Sequence, residues 1–243
     1  GFILEEGFPL ADLQKIVHSM AQAAEEAGVQ IVTGDTKVVE KGKGDGLFIN
    51  TAGVGVVPQT LSLSGDKLQV GDAVLINGTI GDHGISILSQ RDALGFETEI
   101  KSDSSALNGL IADMIESAPD IHCLRDPTRG GVAATLNEVA QQSGVGIVLQ
   151  EKALPLKSAV IGACELLGID PLHSANEGKV LAFCPAAQAE ALLACMRQHP
   201  LGQEAALIGH VIDDPHHFVQ METSFGGRRI VDWLVGEQLP RIC

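Results

Sequence analysis

Residues 125–150 read RDPTRGGVAATLNEVAQQSGVGIVLQ, a turn, a helix and a strand in immediate succession. The alanine-rich segment GGVAATLNEVAQQSG (130–144) reads as the helix, and the apolar run VGIVLQ (145–150) as the strand. The alternation continues on both sides. Upstream lie the strand AVLING (73–78), a helix after GDHG (81–84) and another around SALNGLIADMIES (105–117). Downstream come the helix SAVIGACELLG (158–168), the strand VLAFC (180–184), the helix AAQAEALLACMRQH (186–199) and the strand AALIGHVI (205–212). Such alternation predicts a layered α/β or α+β domain and leaves the strand order open.

The 243 residues are enough for two domains, or for one and part of another. In ADLQKIVHSMAQAAEEAG (11–28), Leu13, Ile16, Val17, Met20 and Ala24 recur at helical spacing, and Gly28 supplies a stop. VQIVTGDTKVV (29–39) reads as a short apolar strand broken at Gly34-Asp35. LFINTAGVGVV (47–57) reads as a second strand, with the charged hairpin EKGKGDG between them. PQTLSLSGDKLQVGD, starting at Pro58, is a polar connector that marks a boundary. The opening GFILEEGFPL has no turn or cap at its start, so the chain is expected to be the C-terminal portion of a longer protein.

Hydrophobic residues make up 45% of the chain, but aromatics only 3% and tyrosine none, so the interior is built from Val, Ile, Leu and Ala. The net charge of -15, from 31 acidic against 16 basic residues, speaks against nucleic acid and anionic membranes as partners. No apolar run approaches the roughly 20 residues of a membrane span. Five scattered cysteines, without C-x-x-C spacing, speak against a disulfide framework or structural zinc and favour a reducing cytoplasm. Cys164 and Cys195 sit in apolar helical patterns and read as buried small hydrophobes.

Four segments could carry chemistry. VTGDTKVV offers a carboxylate at Asp35, a hydroxyl at Thr36 and a cation at Lys37, at a strand end where α/β sheets bind ligands; it also reads as a polar turn. In RDPTRGGV, Asp126, Thr128, Arg129, Gly130 and Gly131 precede a helix start, where backbone N–H groups and the helix dipole favour an anion. Capping by Asp126 or Thr128 is the alternative there, and adjacent glycines argue for close approach of something to the backbone. HSANEGKVL places Asn176 and Glu177 at the start of a strand, either as an amide and proton-transferring carboxylate or as a surface loop. His83 reads as a cap or turn residue that could border a site. The tail GGRRIVDWLVGEQLPRIC could dock through Ile230, Trp233, Leu234 and Val235. The seven steps from Gly236 to Cys243 span about 23 to 25 Å when extended, so the end is either frayed or an arm that reaches a cleft.

Taken together and in order, TGDTKVV, GTIGDHG, DPTRGGV, ANEGK and the terminal PRIC resemble the hydrogenase maturation HypE family, across essentially the whole chain. That family lies in the PurM-like superfamily with aminoimidazole ribonucleotide synthetase, selenophosphate synthetase and thiamine-monophosphate kinase. The resemblance implies a PurM-like two-domain α/β (α+β) architecture whose N-terminal domain is incomplete here. Residues 1–57 would be the remainder of an ATP-binding and dimerisation domain, 58–229 the C-terminal domain, and 230–243 a mobile tail carrying Cys243.

It also implies ATP-dependent dehydration of a thiocarbamate on Cys243 to a thiocyanate, the source of the cyanide ligands of a [NiFe] hydrogenase iron. Cys243 would be the carrier, Glu177 the base, Asn176 the orienting amide, and Lys37 the cation at phosphate or amide oxygen. Asp35 and Asp126 would coordinate Mg2+, with Thr36, Thr128, Arg129, Gly130 and Gly131 around the phosphates. The implied partners are the carbamoyltransferase HypF, the HypC–HypD complex and a second copy of the chain. Two other readings stand beside this one: a PurM-like kinase or synthetase acting on a free small molecule, and a metal-delivery scaffold. The scattered Cys and His residues argue against the scaffold.

Overall fold

The computed structural model describes residues 1–91, 100–118 and 120–234. The chain divides into two compact units, Gly1–Gln59 and Thr60–Cys243.

In the first unit, strand β1 (Phe2–Glu5) leads through helix α1 (Leu10–Glu26) to β2 (Thr36–Val39), and β3 (Leu47–Ile49) follows. β1 pairs in parallel with β2, as a helical crossover requires, and antiparallel with β3. The strands are shorter than their β-branched composition predicts. Residues 29–35 and 50–57 have no regular structure, and Val29, Ile31, Val32, Val54, Val56 and Val57 are exposed. Propensity for the extended state makes a strand only where a neighbour completes the ladder, and these segments have no ladder partner among the described residues.

The second unit is a seven-stranded sheet covered by helices on both faces. It comprises β4 (Asp72–Ile76), helices α2 (Asp82–Arg91) and α3 (Asn108–Ser117), β5 (Cys123–Arg125), α4 (Gly131–Ser143) and β6 (Gly146–Gln150). These are followed by α5 (Ser158–Leu167), β7 (Leu181–Pro185), α6 (Ala186–Gln198), β8 (Ala206–Ile212), β9 (Val219–Glu222) and β10 (Arg228–Ile230). The strand order is β10-β9-β6-β8-β4-β7-β5, and every pairing is antiparallel except β6 with β9. The fold class is therefore α+β, built on largely antiparallel pairing.

Strand β4 shows why its apolar run is continuous. Side chains alternate faces, so Ala73 and Leu75 pack with Leu110 and Met114 of α3 and with Ala189, Leu192 and Met196 of α6. Val74 and Ile76 lie on the opposite face with Val132, Leu136 and Val139 of α4, joined by Phe183, Ile147 and Leu149. A third cluster pairs Ile85 and Leu88 of α2 with Val160, Ala163 and Cys164 of α5. The apolar spacing within α3, α4 and α6 follows the helical three-four rhythm that sets one stripe on the sheet.

Two expectations about side chains change. Cys195 is only partly buried, its thiol 3.4 Å from the Asp113 carbonyl, rather than a core residue like Cys164. The tail expected to begin at residue 230 starts inside β10. Ile230 is half-exposed, but Val231 is fully buried; its N–H donates to Val219 and its carbonyl accepts from Asn137 Nδ2. Trp233 is 41% exposed, so the docking residue is Val231. Val235 and Cys243 lie outside the described residues.

Burial pushes the Cys123, Cys164 and Cys184 thiols up to about 11. In the unfolded chain they ionise near pH 8.5. Between those values the native state holds more protons than the unfolded state, so stability falls as pH rises. No tyrosine titrates in the same window. The urea midpoint is expected to drop from pH 8 to pH 10.5, and Cys184→Ala to flatten that slope; a parallel slope in the variant would count against the thiols as its cause.

Candidate active site

The segment from Ser174 to Val180 is held by two buried asparagines. Asn77, just past the end of β4, donates from Nδ2 to the Leu201 carbonyl (2.8 Å) and the Gly178 carbonyl (3.2 Å), and its Oδ1 accepts from Val180 N–H at 2.8 Å. Asn176, with no exposed surface, accepts from Gly81 N–H at 2.8 Å and donates to the Pro127 and Ser174 carbonyls at 2.9 and 3.0 Å. Its amide is consumed by backbone. Asn176 therefore positions the loop, and its amide bonds to backbone at both ends.

Glu177 sits between the two anchors. Its N–H donates to Asp103 Oδ1 at 3.0 Å, while its side chain keeps 31% exposure. Gly178 must be a glycine, because a Cβ there would collide with the Asp103 carbonyl. Lys179 Nζ lies 2.9 Å from Asp103 Oδ2, an ion pair by distance that falls outside hydrogen-bond geometry. The backbone of Glu177 is thus rigid and its carboxylate accessible, as a group working on a visiting substrate requires.

His83, in the first turn of α2, stands beside this carboxylate. Its Nε2 is 3.9 Å from Glu177 Oε1, and its Nδ1 is 2.8 Å from Ser102 Oγ. The neighbouring Asp82 is buried and engages Thr79 Oγ1 and Lys157 Nζ. The sequence reading of His83, a cap or turn residue that could border a site, does not name Glu177 as its neighbour. The available signal is the GDHG turn after an apolar strand, without anything in sequence to bring it to Glu177.

The DPTRGG turn joins the same assembly through Asn176 and Pro127. Gly130 and Gly131 both have positive φ, 73° and 65°. A Cβ on Gly131 would lie 2.5 Å from the Leu172 carbonyl and 2.6 Å from that of Ser174. The close approach predicted from the paired glycines is made by the protein's own loop. Capping by Asp126 or Thr128 is not seen: neither side chain makes a hydrogen bond among the described residues. Asp126 and Arg129 are exposed and Thr128 is partly so, at the positive end of α4.

Asp35, Thr36 and Lys37 belong to the first unit and are exposed. They open β2 instead of closing a strand, because residues 29–35 do not pair. Asp35 Oδ1 accepts from Thr36 N–H at 2.8 Å, and Lys37 shares a sheet face with Ile3 and Phe48. Among the described residues no three His, Cys, Asp or Glu side chains converge as a metal cage. Single exposed carboxylates such as Asp35 and Asp126 suit an ion that takes one or two protein oxygens and completes its shell with phosphates and water, the habit of Mg2+. Among the same residues no helix is long and apolar enough to cross a membrane.

Residues 1–57 match the AIR synthase related protein, N-terminal domain, and residues 69–222 the C-terminal domain of the same family. The carbamoyl dehydratase HypE of Azotobacter vinelandii is 66% identical over the whole chain, which covers 71% of that protein. A crystal structure of the hydrogenase maturation protein HypE in complex with ATP superposes with a TM-score of 0.95 at 49% identity, covering 100% of this chain and 74% of that one. HypE from a HypE–HypF complex gives 0.93 at 52% identity, covering 96% and 76%.

The double anchoring of the 174–180 loop has a measurable cost of removal. Asn176→Ala takes their side-chain partner from the Gly81 N–H and the Ser174 carbonyl, while the Pro127 carbonyl keeps the backbone N–H of residue 176, and is expected to destabilise the second unit by about 2–4 kcal/mol. Urea denaturation checks it; a change within about 0.5 kcal/mol, the range of ordinary surface substitutions, would refute the anchoring role.

Proposed function

The chain belongs to the HypE family of carbamoyl dehydratases, within the AIR synthase-related proteins, and from that membership we infer the reaction it catalyses and the residues that serve it. The substrate is the thiocarbamate on Cys243, S–C(=O)–NH2. The product is the thiocyanate S–C≡N, from which the iron of a [NiFe] hydrogenase takes its cyanide ligands. ATP supplies the phosphoryl group that turns the amide oxygen into a leaving group.

The observation that carries the assignment is the anchored, accessible carboxylate of Glu177, in one assembly with the start of α4 through Asn176. Glu177 takes protons from the amide nitrogen as the carbon–nitrogen bond order rises. Phosphate groups are met by the N-terminus of α4, with Thr128, Arg129 and the backbone of Gly130 and Gly131. Lys37 and Thr36, from the first unit, stabilise charge at phosphate or at the amide oxygen. Asp126 on the second unit and Asp35 on the first are each candidates to give Mg2+ a carboxylate oxygen, and the ion would neutralise phosphate charge when bound.

The carbamoyl group comes from HypF, in keeping with the HypE–HypF complex solved for a relative. The product is passed to HypC–HypD, and the protein works as a homodimer. Exposed apolar residues of the first unit, Val32, Val54 and Val56 among them, support a covering partner. A reducing cytoplasm suits a carrier thiol that must stay free. The buried thiols of Cys123, Cys164 and Cys184 stay protonated near neutral pH and do not compete as nucleophiles.

Intact-mass measurement after carbamoylation and then ATP tests the reaction: one carbamoyl group gained, then one water lost, both on Cys243. Glu177→Gln and Lys37→Ala are expected to accept the carbamoyl group normally and to lose water about 10²–10⁴ times more slowly. Wild-type rates of water loss in both variants would remove these residues from the mechanism.

A further inference from the structure

Dehydrating a primary amide removes two protons from one nitrogen, and a single carboxylate can hold only one. In the first stage the amide oxygen takes the phosphoryl group, the C=N bond forms and one N–H proton leaves. In the second the C–O bond breaks, phosphate departs with the bonding pair, the second N–H proton leaves and C≡N forms. If Glu177 takes both protons, the first must move on before the second arrives. Among the described residues, the two carboxylates packed beside Glu177 and His83 are already engaged: Asp103 with the Glu177 N–H and Lys179, and Asp82 with Thr79 and Lys157.

We propose that His83 is the second station of this proton path, receiving from Glu177 the first of the two protons; the assignment rests on the reading of Glu177 as the base. The imidazole Nε2 faces Glu177 Oε1 at 3.9 Å, one small side-chain rotation from a hydrogen bond, and the His83 side chain is only 12% exposed. Ser102 Oγ, 2.8 Å from Nδ1, fixes the ring. With Nδ1–H donated to Ser102, the Nε2 lone pair points at the carboxyl group, and Ser102 is itself steadied by the Ser104 N–H at 3.2 Å. Proton transfer then converts Glu177–COOH and neutral imidazole into a carboxylate and an imidazolium that attract each other. The carboxylate is ready for the second proton. After phosphate leaves, both protons pass to solvent, and no oxidant or further reactant is needed. Among the described residues the charged group against the ring is Glu177, and the nearby Asp103–Lys179 and Asp82–Lys157 pairs each cancel internally, so with Glu177 protonated and His83 neutral these groups carry no net charge before transfer. His83 touches no substrate atom and acts only through Glu177, so it is a positioning residue.

The two stages can be timed separately. Protein carrying carbamoylated Cys243 is mixed with excess ATP and quenched at intervals, ADP is measured by chromatography, and water loss by intact mass. In the wild type the two are expected to run together. In His83→Gln and His83→Ala, ADP should form to about one equivalent at the wild-type rate, while water loss lags by roughly tenfold or more. The KM for ATP should be unchanged. Ser102→Ala, an exposed change that spares the fold, should lag in the same direction by less. Water loss at the wild-type rate in His83→Gln would overturn the relay, since glutamine can fill the space and form a hydrogen bond but cannot carry a proton between groups. Equal slowing of ADP formation and water loss would overturn it too. A wild-type protein that forms ADP but no thiocyanate would instead overturn the dehydratase reading, and the relay with it.

Discussion

Two buried amides govern the geometry of the second unit. Asn77 and Asn176 each bond at both ends of their side chains to backbone groups far away in sequence, and together they set the path of Ser174–Val180. A buried amide is costly unless its donors and acceptor are met, so once met it admits only one arrangement of the loops around it. The turn before α4, the start of α2 and the entry to β7 are therefore fixed relative to one another by hydrogen bonds, as well as by packing.

That rigidity explains how a glutamate without a salt bridge at hydrogen-bond distance can still be well placed. The Glu177 main chain is held on both sides and by Asp103, so the side chain is the only part free to move. The sheet beneath supplies the platform. Its central strand β4 is buried on both faces, and α3, α4 and α6 are pinned against it by alternating side chains. Loops at the end of such a strand inherit its precision, whereas in the first unit, with a three-stranded sheet and a helix that buries no residue completely, Asp35, Thr36 and Lys37 lie on an exposed segment.

Much of this is legible from residue order. The helices of the second unit and its longer strands follow from periodicity, and the motifs around Asp126, Asn176 and Glu177 stand out because glycines and polar residues interrupt apolar runs. The short strands β5, β9 and β10 escape such reading, since three or four residues with arginine or glutamate among them carry no distinct period. In the first unit the opposite error arises: valine-rich segments 29–35 and 50–57 carry strand propensity and do not pair. The paired glycines at 130 and 131 correctly signal a close approach, but the atoms that approach are the carbonyls of Leu172 and Ser174.

The sequence by itself determined the helices and longer strands of the second unit, the candidate residues for phosphate, proton and carrier chemistry, and the family to which their order belongs. Only the tertiary structure decided that Asn176 is a strut, that Val231 is the residue that docks the chain after β10, and that His83 stands beside Glu177. The reason is physical. Local pattern reports how a segment relates to its own neighbours, whereas a side-chain amide or imidazole is assigned its role by whichever donor or acceptor the fold brings within about 3–4 Å, and that partner is often a hundred residues away.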